Sequence, residues 1–147
     1  RADSEIEVVR TGDVRFRVCY GSHEDIDERG IMIAVKRAVR RGVLALAPDP
    51  SLVRVLLDGS LYAPAEYAQE TIIHGDDLIP LISLASIAAK VSRDRLMARH
   101  AKTYPHYGFE KHKGYPTKLH YQLLAEHGPC AIHRRSYLHL ESASRRS

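Results

Sequence analysis

Apolar and polar positions alternate near the start of the chain and then change to a helical spacing. Over Val14–Tyr20, apolar side chains occupy every second position, which predicts a half-buried strand. Ser22 follows and can cap a helix, and apolar residues at helical spacing extend that helix to about Ala45. Pro48 and Pro50 then prevent the helix from continuing.

The rest of the pattern predicts two short strands and two helices. The strands are Val53–Leu57, a short apolar run, and Thr71–Ile73. The helices are Pro80–Thr103, which begins at a proline, and Thr117–His127, which Thr117 can cap and Gly128 can end. Because strands alternate with helices, the pattern indicates an α/β fold.

Composition narrows the class of protein. The chain has 147 residues, of which 44% are hydrophobic and 27% charged, and this predicts one globular domain with a core. No apolar run approaches the ~20 residues that span a bilayer. We therefore expect a cytoplasmic protein that has no membrane-spanning segment and no membrane partner. Cys19 and Cys130 lie far apart, which favours reduced thiols, and no Cys or His spacing predicts a zinc site.

Charge is distributed unevenly between the two parts of the chain. The formal net charge is +4, with 22 Lys and Arg against 18 Asp and Glu. Residues 1–89 hold 10 cationic and 14 acidic side chains, so residues 90–147 hold the other 12 and 4, together with seven of the nine histidines. A polyanion that binds the second part is the simplest functional explanation, and a merely soluble basic surface is the alternative.

The segment Tyr104–Lys118 is the strongest local indication of such a partner. It reads YPHYGFEKHKGYPTK and combines four aromatic rings and several lysines with a single carboxylate. Cations bind phosphates, and rings stack on bases or sugars. Gly and Pro interrupt the segment, so we predict a long functional loop without regular helix or strand. The alternative is a surface loop whose rings pack on their own domain.

Carboxylates occur at two positions typical of α/β sites. Asp58 ends the strand Val53–Leu57, where a carboxylate can bind a hard divalent cation, although an Asp-Gly turn alone would explain it. Ser86, Lys90 and Asp94 follow at intervals of four, which places them on one face of a helix. The alternative is that these three side chains form a solvent-exposed helix face, on which Lys90 and Asp94 make a weak ion pair.

Four ordered blocks of the sequence resemble bacterial ribonuclease HII. They are VLLDGS at 55–60, SLASIAAKVSRDRLM at 83–97, HKGYPT at 112–117 and GPCAIHRRSY at 128–137. The stretch SHEDIDERGIMIA at 22–34 is similar to a helix start of the same family. The resemblance implies an RNase H-like fold, in which helices flank a mixed central sheet. It also implies an endoribonuclease that cuts the RNA strand of RNA–DNA hybrids, and cuts 5′ of ribonucleotides embedded in duplex DNA.

The resemblance assigns roles to residues at matching positions. Asp58 and Asp94 correspond to catalytic carboxylates that bind Mg²⁺ or Mn²⁺, and Tyr115 corresponds to a tyrosine that stacks on the sugar beside a ribonucleotide. Metal-activated water then leaves 3′-OH and 5′-phosphate ends. The other expected substrate contacts, less specific than Tyr115, are Lys113, Lys90, Ser86, His112 and Arg134. A packed core tyrosine and solvated lysines are the alternatives in the loop.

One departure from the family qualifies these expectations. Members open with a strand bearing D-E-[AV]-G-R-G, and this motif does not occur here. We therefore expect an N-terminally incomplete fold, with residues 1–140 as a single partial catalytic domain, residues 141–147 as a flexible tail, and little or no activity of this chain alone. No obligate protein partner is expected once the segment is restored. The competing hypotheses are a non-catalytic nucleic-acid-binding remnant and a basic structural protein of a ribonucleoprotein particle.

Overall fold

The computed structural model describes residues 8–11 and 14–138, which form parts of two compact units, residues 1–90 and 91–147. The expected tail, 141–147, lies outside the described residues, and the single domain over 1–140 stays a prediction. The helices and strands of the first unit are β1 Val8–Thr11, β2 Val14–Arg17, α1 His23–Arg29, α2 Ile31–Leu46, β3 Arg54–Asp58, β4 Ala68–Ile72, α3 Gly75–Leu78 and the start of α4 Pro80–Thr103. The second unit contains the rest of α4, then α5 Phe109–His112 and α6 Lys118–His127.

The first predicted helix is divided in two by Gly30. Ser22 caps α1 as expected, because its hydroxyl accepts a hydrogen bond from the backbone N–H of Asp25 at 3.1 Å. Gly30 has φ +83° and ends α1, and α2 begins at the next residue. A left-handed φ is costly for residues with a Cβ, so this break depends on glycine. The sequence pattern carried the helix through Gly30, and that detail was wrong.

The two sheets among the described residues each have two strands. β1 and β2 pair antiparallel, with Val8 opposite Arg17, and β3 and β4 pair parallel, with Asp58 opposite Ile72. The predicted strand over Thr71–Ile73 is β4, which begins three residues earlier, at Ala68. Helices accompany both sheets, so the α/β class is confirmed.

A small apolar core lies beside β3 in the first unit. Leu57 is buried on this strand and packs with the buried Ala63 and Tyr67. The hydroxyl of Tyr67 donates to the carbonyl of Ala47 at 2.6 Å, just after α2 ends. Apolar residues of α2, among them Val43, pack against the same cluster. This packing fixes β3 and therefore the position of the carboxylate at its end.

The ends of α4 and α6 follow the sequence pattern closely. α4 begins at Pro80 and ends at Thr103, as predicted. Thr117 caps α6 by accepting from the backbone N–H of His120 at 3.2 Å, and Gly128, with φ +68°, ends this helix. None of the helices in the described part of the chain is long and apolar enough to cross a membrane.

Candidate functional site

Asp58 is the last residue of β3, and the backbone holds its half-buried side chain. Oδ1 accepts a hydrogen bond from the backbone N–H of Gly75 at 2.8 Å. The turn after the strand is fixed as well, because the N–H of Gly59 donates to the carbonyl of Ile72 at 3.0 Å. The carboxylate therefore has a defined position at the carboxyl end of a parallel strand, where functional groups of α/β sheets gather.

Gly75 allows the backbone to come this close to the carboxylate. A Cβ at this position would lie 2.8 Å from Cδ1 of Ile82, 3.4 Å from Cβ of Ile72 and 3.5 Å from Oδ1 of Asp58. Gly75 itself is buried, and Ile82 is only 8% exposed, so the space for a side chain is already filled. Glycine is thus required by close packing here, and the Asp58–Gly75 hydrogen bond depends on it.

The row on α4 lies on one continuous helix, as the spacing predicted. Ser86 and Lys90 are exposed, and Asp94 is half-buried. A spacing of four residues places the three side chains along the same face. Their roles toward a metal or a phosphate stay predictions.

The carboxylates of Asp58 and Asp94 offer the type of ligand atom that a divalent cation prefers. Oxygen ligands are those that Mg²⁺ prefers, and Asp58 presents such a group from a rigid strand end. Within residues 8–11 and 14–138, however, no group of three or more His, Cys, Asp or Glu side chains could hold a metal ion. A complete metal centre therefore needs ligands beyond the groupings seen in these residues.

The segment Tyr104–Lys118 is more ordered than the sequence indicated. It contains a 3₁₀ turn over Pro105–Tyr107 and the short helix α5, so the prediction of a loop without regular structure was wrong. Gly108 lies between the two, with φ +64°, and lets the chain reverse there. Tyr107 is 7% exposed, so this ring packs on its own unit, as the alternative interpretation held.

Five rings pack into what we call the ring cluster: Tyr107, Phe109, His112, His120 and His133. Tyr107 and Phe109 stack with centroids 5.4 Å apart, and His112 and His120 stack at 4.3 Å with 13° between their planes. Phe109 is 2% exposed, and His112 and His133 are also buried. Aromatic packing of this kind stabilises the fold beyond simple burial, so the cluster is the core of the second unit.

The histidine nitrogens are bonded in an unbroken sequence. The backbone N–H and the thiol of Cys130 both lie 3.0 Å from Nδ1 of His133. Nε2 of His133 is 3.2 Å from Nε2 of His120, and Nδ1 of His120 is 3.0 Å from the carbonyl oxygen of Tyr115. A path of hydrogen bonds thus runs from Cys130 through two imidazoles to the backbone of the predicted substrate-contacting tyrosine.

His112 holds the same loop one residue earlier. Its Nε2 lies 2.6 Å from the carbonyl oxygen of Tyr107, and its Nδ1 accepts from the backbone N–H of Gly114 at 3.1 Å. The ring is 6% exposed, and both nitrogens bond to the protein backbone. The burial of His112 favours support of the loop over the direct substrate contact that we predicted from the resemblance.

Tyr115 and Lys113 present their side chains differently from the buried rings. Tyr115 is 42% exposed, so the interpretation as a packed core tyrosine was wrong. The guanidinium of Arg93 lies 4.3 Å from the centre of its ring and also donates to the carbonyl of Lys113 at 3.2 Å. Lys113 has φ +51°, a left-handed conformation that favours glycine. Lys113 is the C-cap of α5, a position where a left-handed residue commonly ends a helix.

Burial sets the protonation of the cluster. Desolvation lowers the pKa of His120 and His133 below the usual histidine range, and each is lowered further by the charge of a neighbouring histidine. Desolvation also raises the pKa of the Cys130 thiol and of the Tyr107 hydroxyl. His120 and His133 are therefore neutral near neutral pH, and Cys130 is a free thiol of low reactivity.

Other basic side chains of the second unit, among them the predicted contact Arg134, reach the surface. Lys111 and Lys118 are exposed, and the guanidinium of the half-buried Arg134 lies 5.0 Å from the ring centre of Tyr137. The sequence offered no sign of the role of Arg93, nor of the pairing of His120 with His133. The contact of Arg93 with Tyr115 and the contact of His120 with His133 join residues that are 13 or more positions apart, and no fixed spacing in a sequence identifies such contacts.

Comparison with known proteins gives a consistent result. A family model described as Ribonuclease HII matches residues 4–140. The chain is 41% identical over its whole length to a ribonuclease HII of Paracidovorax citrulli, and 43% identical over 88% of its length to one of Bordetella pertussis. It is 46% identical over 82% of its length to one of Pseudoalteromonas atlantica. The chain spans 60%, 63% and 61% of the length of these three relatives.

Proposed function

The chain belongs to the ribonuclease HII family, and on that premise we propose that the whole protein is an endoribonuclease of RNA–DNA hybrids. It hydrolyses the RNA strand of a hybrid, and it cuts 5′ of ribonucleotides embedded in duplex DNA to leave 3′-OH and 5′-phosphate ends. The observation that carries the proposal is the family match over residues 4–140, which includes every site residue predicted from the sequence. The mixed fold of helices and small sheets agrees with the RNase H-like class.

The proposed cofactor is Mg²⁺ or Mn²⁺, with Asp58 and Asp94 as two of its carboxylate ligands. A divalent ion in such a site makes water a better nucleophile and stabilises the leaving oxygen. The position of Asp58 supports this role. Its carboxylate lies at the end of β3 and is held there by the hydrogen bond from the backbone N–H of Gly75. Ser86 and Lys90, exposed on α4, are proposed to face the phosphates.

The proposed substrate contacts in the second unit divide into sugar and phosphate contacts. Tyr115 has an exposed ring that can stack on the sugar beside a ribonucleotide, where the 2′-OH distinguishes RNA from DNA. Lys113 and Arg134 supply positive charge for phosphates. His112 acts through the loop backbone, since its ring is buried.

Matched duplexes test the proposal. The whole protein is mixed with two duplexes of one sequence, one all-DNA and one with a single ribonucleotide, in the presence of Mg²⁺ or Mn²⁺. We expect cleavage only of the second duplex, on the 5′ side of the ribonucleotide. Equal cleavage of both duplexes, or of neither, would contradict the proposed function.

A second candidate is a binding protein without catalytic activity. The observation that favours it is that the described residues group no three metal-ligating side chains, whereas the basic loop with Tyr115 and Lys113 is fully formed. We expect the 147-residue chain alone to bind duplexes yet give little or no cleavage with either metal. Robust metal-dependent cleavage by this chain would refute that expectation and would require further carboxylates to complete the site.

A further inference from the structure

We propose that Arg93, His112 and His120 form a clamp on the backbone of Lys113–Tyr115, which positions the Tyr115 ring against a ribonucleotide. The inference rests on the proposed function for the role of Tyr115, but the clamp itself is independent of it. Each of three consecutive residues has one backbone atom held by a side chain. Arg93 holds the carbonyl of Lys113, His112 holds the N–H of Gly114, and His120 holds the carbonyl of Tyr115.

The clamp leaves the side chains of the loop available. The three holding residues come from α4, α5 and α6, so the loop is fixed from three separate helices of the second unit. The Tyr115 ring stays 42% exposed while its own backbone is bonded to His120. A side chain on a fixed backbone loses little further conformational entropy when it binds, which is how preorganisation improves recognition.

The hydrogen-bond partners determine which nitrogen of each histidine carries the proton. The backbone N–H of Cys130 can only donate, so Nδ1 of His133 accepts and Nε2 carries its proton. Nε2 of His133 then donates to Nε2 of His120, which must accept. The proton of His120 is therefore on Nδ1, and it is donated to the carbonyl of Tyr115, which can only accept. Both ends of the path require the same assignment.

The hydrogen-bond partners of His112, which stacks on His120, also determine which of its nitrogens carries the proton. The N–H of Gly114 can only donate to its Nδ1, so Nε2 carries the proton and donates to the carbonyl of Tyr107. All three imidazoles are thereby neutral, with every ring nitrogen bonded. A proton added to His120 would place hydrogens on both facing Nε2 atoms, and a proton added to His133 would place a hydrogen on Nδ1 against the backbone N–H of Cys130, so either change breaks the path. The unbroken path from Cys130 to Tyr115 therefore exists only in the neutral state of the pair.

The assignment can be measured directly on the full chain. Long-range ¹H–¹⁵N NMR at pH 7.5 distinguishes the two neutral imidazole forms and the imidazolium by their nitrogen shifts. We expect the proton on Nε2 in His112 and His133, and on Nδ1 in His120. A His120 ring with its proton on Nε2 alone would overturn the clamp, because Nδ1 could then not donate to the carbonyl of Tyr115. This readout needs no substrate and no metal.

Two substitutions at His120 test the positioning role. His120→Asn keeps an N–H donor near the place of Nδ1, whereas His120→Leu keeps the bulk and removes the donor. In the whole protein, with Asp58→Asn present to prevent cleavage, affinity is compared for duplexes with and without one ribonucleotide. We expect His120→Leu to reduce the preference for the ribonucleotide about tenfold, within the range of one lost stacking contact, and His120→Asn to restore most of it. Equal preference in both variants and the parent would refute the proposal.

His127 provides the matched control on the same helix. It lies at the end of α6, and its ring contacts His106 and Tyr107 without bonding to the clamped loop. We expect His127→Leu to leave the ribonucleotide preference unchanged, and a loss equal to that of His120→Leu would contradict a specific role of the clamp.

Tyr115→Ala separates the clamp from the proposed function. This change removes the ring but leaves the carbonyl, so the histidine protonation pattern should persist. If Tyr115→Ala abolishes the preference but His120→Leu does not, the clamp is wrong and the function stands. If Tyr115→Ala changes no preference while the NMR pattern is as expected, the clamp stands and the sugar contact is wrong.

Discussion

The two candidate functional regions are held in opposite ways. In the first unit, the backbone holds a functional side chain, because the N–H of Gly75 fixes the carboxylate of Asp58. In the second unit, side chains hold a functional stretch of backbone, and the ring of Tyr115 stays exposed. The first arrangement needs only a strand end and a glycine. The second needs a core of several rings before the loop has a defined position.

The difference explains how each region tolerates substitution. The Asp58 site depends on one hydrogen bond and on space that Gly75 leaves open, so its changes are local. The loop at Tyr115 depends on His120, and His120 depends on His133, so a change in the buried core reaches the surface. We therefore expect residues that never contact substrate to affect recognition in the second unit.

Asp58→Asn should have the largest effect on activity of any single change discussed. Asparagine keeps an oxygen that can accept from Gly75 but removes the negative charge needed by a divalent cation. In the whole protein we expect cleavage to fall by more than about 100-fold, since even the partners of metal ligands are worth 10–100-fold. Duplex affinity should change little, because no phosphate contact is lost.

The companion change Asp58→Ala distinguishes the charge from the hydrogen bond. It removes the acceptor for Gly75 as well, so it should also lower the free energy of unfolding by about 1 kcal/mol, a typical net value for one hydrogen bond. Thermal denaturation of both variants checks this difference. If Asp58→Asn kept full cleavage activity, Asp58 would be only the residue of an Asp-Gly turn.

The same contrast determines what the sequence could predict. Signals that act within a few residues were interpreted correctly: the Ser22 cap, the Pro80 start, the Thr117 cap and the strand that ends at Asp58. The break at Gly30 was missed because a glycine within a helical pattern is compatible with a continuous helix until the backbone shows φ +83°.

The ring cluster could not be predicted for a different reason. His112, His120 and His133 are separated by 8 and 13 residues, and their contacts arise only when α5, α6 and the segment after α6 pack together. Contacts between side chains at distant positions produce no repeating pattern in a sequence. The charge distribution predicts a polyanion interface in the second part of the chain, but it does not indicate which buried residues support the loop.

Tyr115→Ala should have the second largest effect. The exposed ring would be lost while the backbone hydrogen bonds of the loop remain. In the whole protein we expect cleavage at a single embedded ribonucleotide to fall about 5- to 150-fold, because one stacking contact contributes about 1–3 kcal/mol. Single-turnover rates on matched duplexes measure the change. Unchanged single-ribonucleotide cleavage would exclude a sugar contact for this residue.

Acid should destabilise the second unit. The pKa values of His120 and His133 are lowered in the folded state, so unfolding takes up protons at moderately acidic pH. The stabilisation is complete above the unfolded histidine pKa of about 6.5 and is lost as pH falls toward the lowered values. Each such histidine adds at most about 1.4 kcal/mol per pH unit to the slope.

Denaturant unfolding at several pH values from 7.5 to 5 measures this slope. The polar groups that lie against the pair are His112, Cys130 and Tyr107. His120→Asn removes one titrating ring, so its slope should be smaller than that of the parent chain. A free energy of unfolding that is constant over this range, or one that rises as pH falls, would contradict the neutral assignment of the cluster.

Substitutions at Lys113 should have the smallest effects, and two of them separate its charge from its backbone. Lys113→Ala removes one phosphate contact, so it should weaken all duplexes alike and reduce the slope of log affinity against log salt by about one unit. Lys113→Gly removes the same charge but also suits the left-handed φ of +51°, so it should raise the free energy of unfolding by about 1 kcal/mol. Binding at two salt concentrations and denaturant unfolding measure the two effects independently. If both variants bound with the salt dependence of the parent protein, Lys113 would be a solvated lysine.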